Sequence, residues 1–201
     1  MSVRLKLASI WLPDFILKRE LDNVSQKTIN GLDDLLKEYA PSKMETFIKN
    51  HGILKGKLEQ RRSSMAMAHN KRVKILIQEL GYEKAVKIGR KSMFKVGFKL
   101  GQEARRKLGV GDNFKDLELA AGILYKILGI EFKIENREGN MFMIVNRCSL
   151  SKYYSHESCM ILSAADEGVV CGLNKNMGMR FKERITEGAP ECIACISEVK
   201  T

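Results

Sequence analysis

At Ile130 the spacing of apolar residues changes from three and four to two, and this change sets the class of fold open to the chain. The stretch "IEFKIENREGNMFMIVN" sets Ile130, Phe132 and Ile134 against Glu131, Lys133 and Glu135, turns at Glu138-Gly139-Asn140 and returns as an apolar run. Alternation of period two around a glycine-containing turn is the pattern of a β-hairpin. Farther on, "SHESCMILSAADEGVVCGL" goes back to helical spacing and "MGMRFKERITEGAPECIACISEV" reads as a second hairpin. Helices, hairpin, helix, hairpin in that order predict an α+β domain, a roughly four-stranded antiparallel sheet covered by helices.

Everything before Ile130 carries helical periodicity. Thr28 to Tyr39 and Lys43 to Asn50 have apolar residues three and four apart, with Pro41 and Ser42 as a break between them, and Lys71 to Leu80 is a further short segment. Residues 1–80 are therefore expected as a basic, N-terminal helical extension, and 81–201 as the α+β domain. Gly81 opens a longer helix in which Val86, Phe94, Phe98 and Leu108 could share a buried side. Gly89, Gly97 and Gly101 inside that helix cost about 1 kcal/mol each relative to alanine. Close approach of another backbone is the simplest compensation. "GVGD" ends the helix, and "NFKDLELAAGILYKILG" follows as another amphipathic one.

With 201 residues, 44% of them hydrophobic and 29% charged, the chain can bury a core of ordinary size. No apolar run approaches the roughly 20 residues of a membrane span. The start is interrupted by Arg4, Lys6, Pro13 and Asp14, unlike a secretory leader, so a cytoplasmic location is expected. The net charge of +11 is uneven: residues 1–110 hold 24 Lys and Arg against 11 Asp and Glu, residues 111–201 hold 11 against 13. Such an imbalance suits an anionic partner: nucleic acid, a membrane surface or an acidic protein face. The basic residues of "KGKLEQRRSSMAMAHNKRVK" are scattered, with no interleaved aromatics, which argues against nucleic acid. The expectation is an acidic protein surface met by Arg61, Arg62, Lys71 and Arg72. His51 and His69 lie far in sequence from any cysteine and read as surface histidines.

All five cysteines follow residue 147. Their odd number and loose spacing point to reduced thiols. Cys159 and Cys171 stand twelve residues apart on one predicted helix, about 18 Å along its axis, so an unbroken helix cannot offer both to one ion. Cys159 lies among apolar residues and reads as a buried structural thiol; Cys171 precedes Gly172 at the helix end. Cys192 and Cys195 would face opposite sides of an ideal strand, and their convergence needs a bulge or the turn near Gly188 and Pro190. Cys148, Cys171, Cys192 and Cys195 then form the expected metal set, for zinc or an iron-sulfur cluster, with Cys159 and His156 as further candidates. This is the pattern of a small accessory or sensor protein whose basic extension docks on a partner.

The stretch "MFKVGFKLGQEARRKLGVGDNFKDLELAAGILYKILGIEFKIENREGNMFMIVNRCSLS" resembles the 4-vinyl-reductase-like domain, whose fold is shared with a small subunit of the TRAPP tethering complexes. Gly97 and Gly101 match its glycine-bearing helix and "NRCSL" its cysteine-led loop. The continuation is similar to the 2-amino-thiazoline-4-carboxylate hydrolase-like group, in which a cysteine, an Asp in the following helix and a Gly-x-x-x-Cys in the last hairpin recur. Cys148, Asp166, and Gly188 with Cys192 match these. Ser163 stands where that group has a further cysteine. The resemblance covers about residues 85–199 and implies a second function class, a hydrolase opening a thiazoline-type ring, with Cys148 or Cys192 as nucleophile and Asp166 orienting a base or water. Zinc held by cysteines and one Glu in related sensor domains makes Glu167 a substitute ligand. Pairing of related folds through their helices leaves room for a homodimer.

Overall fold

The structure is a computed structural model and describes residues 2–43 and 54–199. Its elements are α1 (Val3–Ile10), α2 (Asp14–Tyr39), α3 (Leu58–Leu80), α4 (Tyr82–Leu108), α5 (Phe114–Leu128), β1 (Ile130–Arg137), β2 (Asn140–Cys148), α6 (His156–Leu173), β3 (Met177–Glu183) and β4 (Cys192–Glu198). The four strands form one sheet in the order β1-β2-β4-β3, with every neighbouring pair antiparallel. This is the α+β architecture that the change of period predicts. Arg137 pairs with Asn140, leaving Glu138 and Gly139 as a two-residue turn with φ of 52° and 80°, the left-handed backbone that joins twisted strands tightly. Of the segment Lys43–Asn50, all after Lys43 lies outside the described residues, as does His51. No helix among the described residues is long and apolar enough to cross a membrane.

The inner face of the sheet meets α5 and α6. Met143, Val145, Ala194 and Ile196 pack on Leu117, Ala120 and Ile123 of α5 and on Val170 and Leu173 of α6. A second cluster joins Leu32 and Leu36 of α2 and Val73 and Leu76 of α3 to Ala85 and Met93 of α4 and Ile161 of α6. Apolar packing therefore runs continuously across residue 80.

The buried face of α4 differs from the expected one. It carries Ala85, Gly89, Met93, Gly97 and Gly101, whereas Phe94 is 37% exposed and Val86, Phe98 and Leu108 are only partly covered. The reason is backbone proximity. A Cβ on Gly97 would lie 1.9 Å from the Ala165 carbonyl oxygen, and one on Gly168 would lie 2.1 Å from that of Phe94. Helices α4 and α6 touch main chain to main chain, as the glycines required, and larger side chains are displaced to the flanks.

Three of the four cations expected to dock on a partner are engaged within the molecule. Arg61 Nη1 donates to both carboxylate oxygens of Asp22 at 2.7 and 2.6 Å. Arg62 donates from Nε to the Ile127 carbonyl at 3.0 Å and from Nη2 to that of Lys126 at 3.0 Å, satisfying carbonyls left open at the end of α5. Arg72, 1% exposed, forks onto Asp33. Lys71 alone of the four is exposed.

Candidate functional site

Between the sheet, α2, α5 and α6 lies a cavity of about 340 Å³. Most of its wall is apolar, with Leu17 and Val24 from α2, Leu124 from α5, and Phe132 and Val145 from the sheet. Among its polar lining residues, one group comes from the sheet and α6. Cys148 ends β2, Cys192 begins β4, and Arg184 sits in the connection between β3 and β4. Cys159, Ser163 and Asp166 all come from α6, where spacings of four and three put them on one face. The thiols of Cys148, Cys159 and Cys192 are near enough for charge on one to shift the others, and both Cys159 and Cys192 feel Asp166 and Arg184.

Adjacent carboxylates on α6 have opposite surroundings. Glu167 is buried, accepts from Arg90 Nη2 at 2.9 and 2.7 Å and from the Phe181 amide at 3.2 Å, and thereby ties α4, α6 and β3 together. Asp166 lines the cavity without a hydrogen-bond or ion-pair partner among the described residues. Burial, with the negative charge of Glu167 beside it, pushes the Asp166 carboxyl up to about 7, where it exchanges a proton readily at neutral pH.

Burial also raises the thiols. Cys148 is pushed up to about 12 and Cys159 to about 11, so both are neutral. Cys192 is raised as well, against the Ile185 amide, which donates to its sulfur at 3.3 Å, and the nearby Arg184. Arg184, 7% exposed, donates from Nε to Ser163 Oγ at 3.1 Å and from Nη1 to Glu187 at 3.1 Å. Its Nη2 makes no protein hydrogen bond among the described residues.

The expected metal set is not brought together. β4 runs without a bulge against β2 from Cys192 to Ile196, so Cys192 turns to the cavity and Cys195 to the other face. α6 is continuous from His156 to Leu173, which keeps Cys171 near its far end and away from the cavity lining. The third cavity thiol is Cys159, read from sequence as structural. His156 lies 3.4 Å from the Tyr82 hydroxyl, and Glu167 is held by Arg90. Among the described residues no three His, Cys, Asp or Glu side chains are grouped to hold a metal ion. Cys171 and Cys195 point away from the cavity that Cys148 and Cys192 line, so the four expected cysteines do not converge on one ion in this arrangement.

His69 is a correction to its reading as a surface residue. It is 1% exposed, with Nε2 2.9 Å from Thr28 Oγ1 and Nδ1 2.8 Å from the Tyr154 hydroxyl. Burial, helped by Arg72, pushes the imidazole down to about 3, so it is neutral. A signal existed in the sequence: Met65, Ala66, His69, Val73 and Leu76 form a three-four stripe with His69 inside it. Arg184 had no such signal.

A sheet backed by helices, enclosing a cavity into which thiols and an unpaired carboxylate project, defines an α+β ligand-cavity domain. The chain belongs to the L-2-amino-thiazoline-4-carboxylic acid hydrolase family, whose model matches residues 61–196. The match begins inside α3, twenty residues before Gly81. Among curated proteins no sequence matches. Among solved structures, a trafficking protein particle complex subunit 3 from Naegleria fowleri, covalently bound to palmitic acid, is similar at TM-score 0.56 and 16% identity, over 69% of this chain and 95% of that one. That likeness shows the fold. An H-NOX protein from S. oneidensis in the Fe(II)NO ligation state matches at TM-score 0.45 and 14% identity, over 87% of this chain and 99% of that one, too distant to carry an argument.

Proposed function

We propose that this chain is a hydrolase that opens a thiazoline-type ring inside the cavity, with Cys192 as nucleophile and Asp166 as proton carrier. The observation that carries this reading is Asp166: a carboxyl raised to about 7, unpaired and facing a cavity that also receives the Cys192 thiol. Family membership over residues 61–196 supports the substrate class. Cys192 is preferred to Cys148 because the Ile185 amide and Arg184 favour its thiolate, while Cys148 is held near 12.

In this reading the free Nη2 of Arg184 meets the substrate's carboxylate. Asp166 takes the thiol proton, sulfur adds to the ring carbon between its heteroatoms, and the ring nitrogen receives that proton; the exocyclic amino nitrogen then forms a C=N bond as the ring C–N bond breaks, and the proton it gives up passes through Asp166 to the departing amine. One water then attacks the same carbon, the carbon–sulfur bond to Cys192 breaks, one proton of that water restores the thiol and the other goes to the imine nitrogen, leaving a carbamoyl group on the substrate's own sulfur. The net change is the consumption of one water. The experiment is incubation of the purified chain with L-2-amino-thiazoline-4-carboxylic acid, following substrate and ring-opened product by mass spectrometry. Turnover lost in Asp166→Asn and Cys192→Ser supports the reading; no turnover by the unaltered chain, or full turnover by Asp166→Asn, defeats it.

The apolar wall favours a second reading, a site for a long apolar ligand such as a fatty acyl chain. The palmitic acid bound to the trafficking-complex subunit is of that class. Retention of added palmitate in native mass spectrometry, lost on filling the cavity with Ala121→Trp, would favour this reading over turnover.

A further inference from the structure

Helix α1 and the turn after it carry an apolar surface that the cavity chemistry does not use. Val3 is 74% exposed, Leu7 63%, Ile10 69%, Trp11 71% and Phe15 67%, five large apolar side chains within thirteen residues. At about 100° per residue Val3, Leu7 and Ile10 share one face of α1, with Lys6 on one flank and Arg4 on the other. Leu5, fully buried, points the opposite way into the core. Arg4 and Lys6 are exposed and, among the described residues, neither has an ion-pair partner. An outward apolar strip bordered by unpaired cations, with a tryptophan at its end, has the chemistry of a helix lying in a membrane interface.

We propose that the α1 face, continued by Trp11 and Phe15, docks this protein on an anionic lipid bilayer. The apolar residues enter the boundary between headgroups and acyl chains while Arg4 and Lys6 remain with the lipid phosphates. Charge decides against a second copy as occupant. Self-pairing of the strip would gather the Arg4 and Lys6 of both copies at one interface, and the nearest acid in sequence, Asp14, is already paired with Lys18 at 2.5 Å. The excess of positive charge in residues 1–110 acts in the same direction. No helix of the described residues is long and apolar enough to cross the bilayer, and the docked helix lies along it.

Trp11 is the only tryptophan of the chain, so its fluorescence reports the event directly. The full-length protein is titrated with vesicles of phosphatidylcholine and phosphatidylglycerol, and with vesicles of phosphatidylcholine alone, reading Trp11 emission and co-flotation. The expected result is a blue shift and flotation with the anionic vesicles that weaken as salt rises. Arg4→Glu with Lys6→Glu lowers partitioning more than about tenfold, at roughly 1 kcal/mol per basic residue near such a surface. Leu7→Asp abolishes it; all three positions are exposed, so the fold is retained, which circular dichroism checks. Absence of flotation, equal binding to neutral vesicles, or a blue shift that follows protein concentration without lipid overturns the proposal, the last in favour of self-association.

Discussion

Gly97 of α4 lies against Ala165 of α6 so closely that a Cβ on Gly97 would stand 1.9 Å from the Ala165 carbonyl oxygen. The contact is with main chain, which cannot swing aside as a side chain can. Gly97→Ala should therefore lower stability despite the gain in helix propensity of about 1 kcal/mol, because overpacking of a tight contact costs typically about 1–3 kcal/mol or more. Gly122 of α5, with nothing within 4 Å of its Cβ position, is the control. Gly122→Ala should raise stability by about 0.4–1 kcal/mol. Chemical denaturation of the two variants beside the parent checks both signs.

The fold was legible from the sequence wherever the information was local. Alternation over Ile130–Ile134, the Glu138-Gly139 turn and the glycines at 97 and 101 each signal a nearby geometric need. The buried face of α4 was misread because size suggested that Phe94 and Phe98 should be inside, whereas two backbones in contact leave room only for glycine and alanine. The basic residues were misread for another reason. Arg61 finds Asp22 and Arg72 finds Asp33, each 39 residues away on a facing helix, and no spacing rule links them. At the site, Cys148, Asp166 and Cys192 were legible through family resemblance, but which cysteine faces with Cys192 depends on strand alternation and helix phase together.

Removal of the Arg72 guanidinium tests the first of those internal pairs. Arg72→Ala leaves Asp33 without its partner beside a packed core, and breaking a buried pair on one side costs about 3–5 kcal/mol. A much lower midpoint in urea, with little recovery in high salt, is expected. A change below 1 kcal/mol would mean that Asp33 is adequately hydrated without Arg72.

Two interior groups, Asp166 on the cavity wall and the fully buried His69, give stability opposite dependence on pH. Asp166 has its pKa raised from 3.8 to about 7, so the fold prefers it protonated. Its contribution is fully present below about pH 4 and is lost as pH rises through 7. His69 is lowered from 6.5 to about 3, so the fold prefers it neutral, and that contribution is lost as pH falls from 6.5 toward 3. Asp166→Asn should flatten the decline between pH 4 and 7 and raise the melting temperature at pH 8. His69→Gln, which keeps a polar side chain between Thr28 and Tyr154, should weaken the acid limb. Melting temperatures measured across pH 3–8 separate the two, and parallel curves for the parent and Asp166→Asn would refute the cavity position of that carboxyl.

Serine replacement along the cysteine series distinguishes a cavity reaction from a metal site. A four-thiolate site would need Cys171 and Cys195 as much as Cys148 and Cys192, so all four variants would fail alike. The geometry predicts otherwise. Cys195 lies on the outer face of β4, opposite Phe142 and Arg180 in the ladder, and Cys171 does not line the cavity; their serine variants should retain the turnover and stability of the parent. Cys192→Ser should lose turnover by about 10³-fold or more while binding substrate, because a hydroxyl lacks the nucleophilicity of a thiolate at neutral pH. Cys148→Ser, whose thiol is held near 12, should lose less. Mass spectrometry of the parent mixed with substrate and quenched in acid should show one adduct, mapping to the peptide that contains Cys192. An adduct on Cys148 instead would exchange the roles of the two thiols, and equal loss of turnover in the Cys171 and Cys195 variants would restore the metal reading.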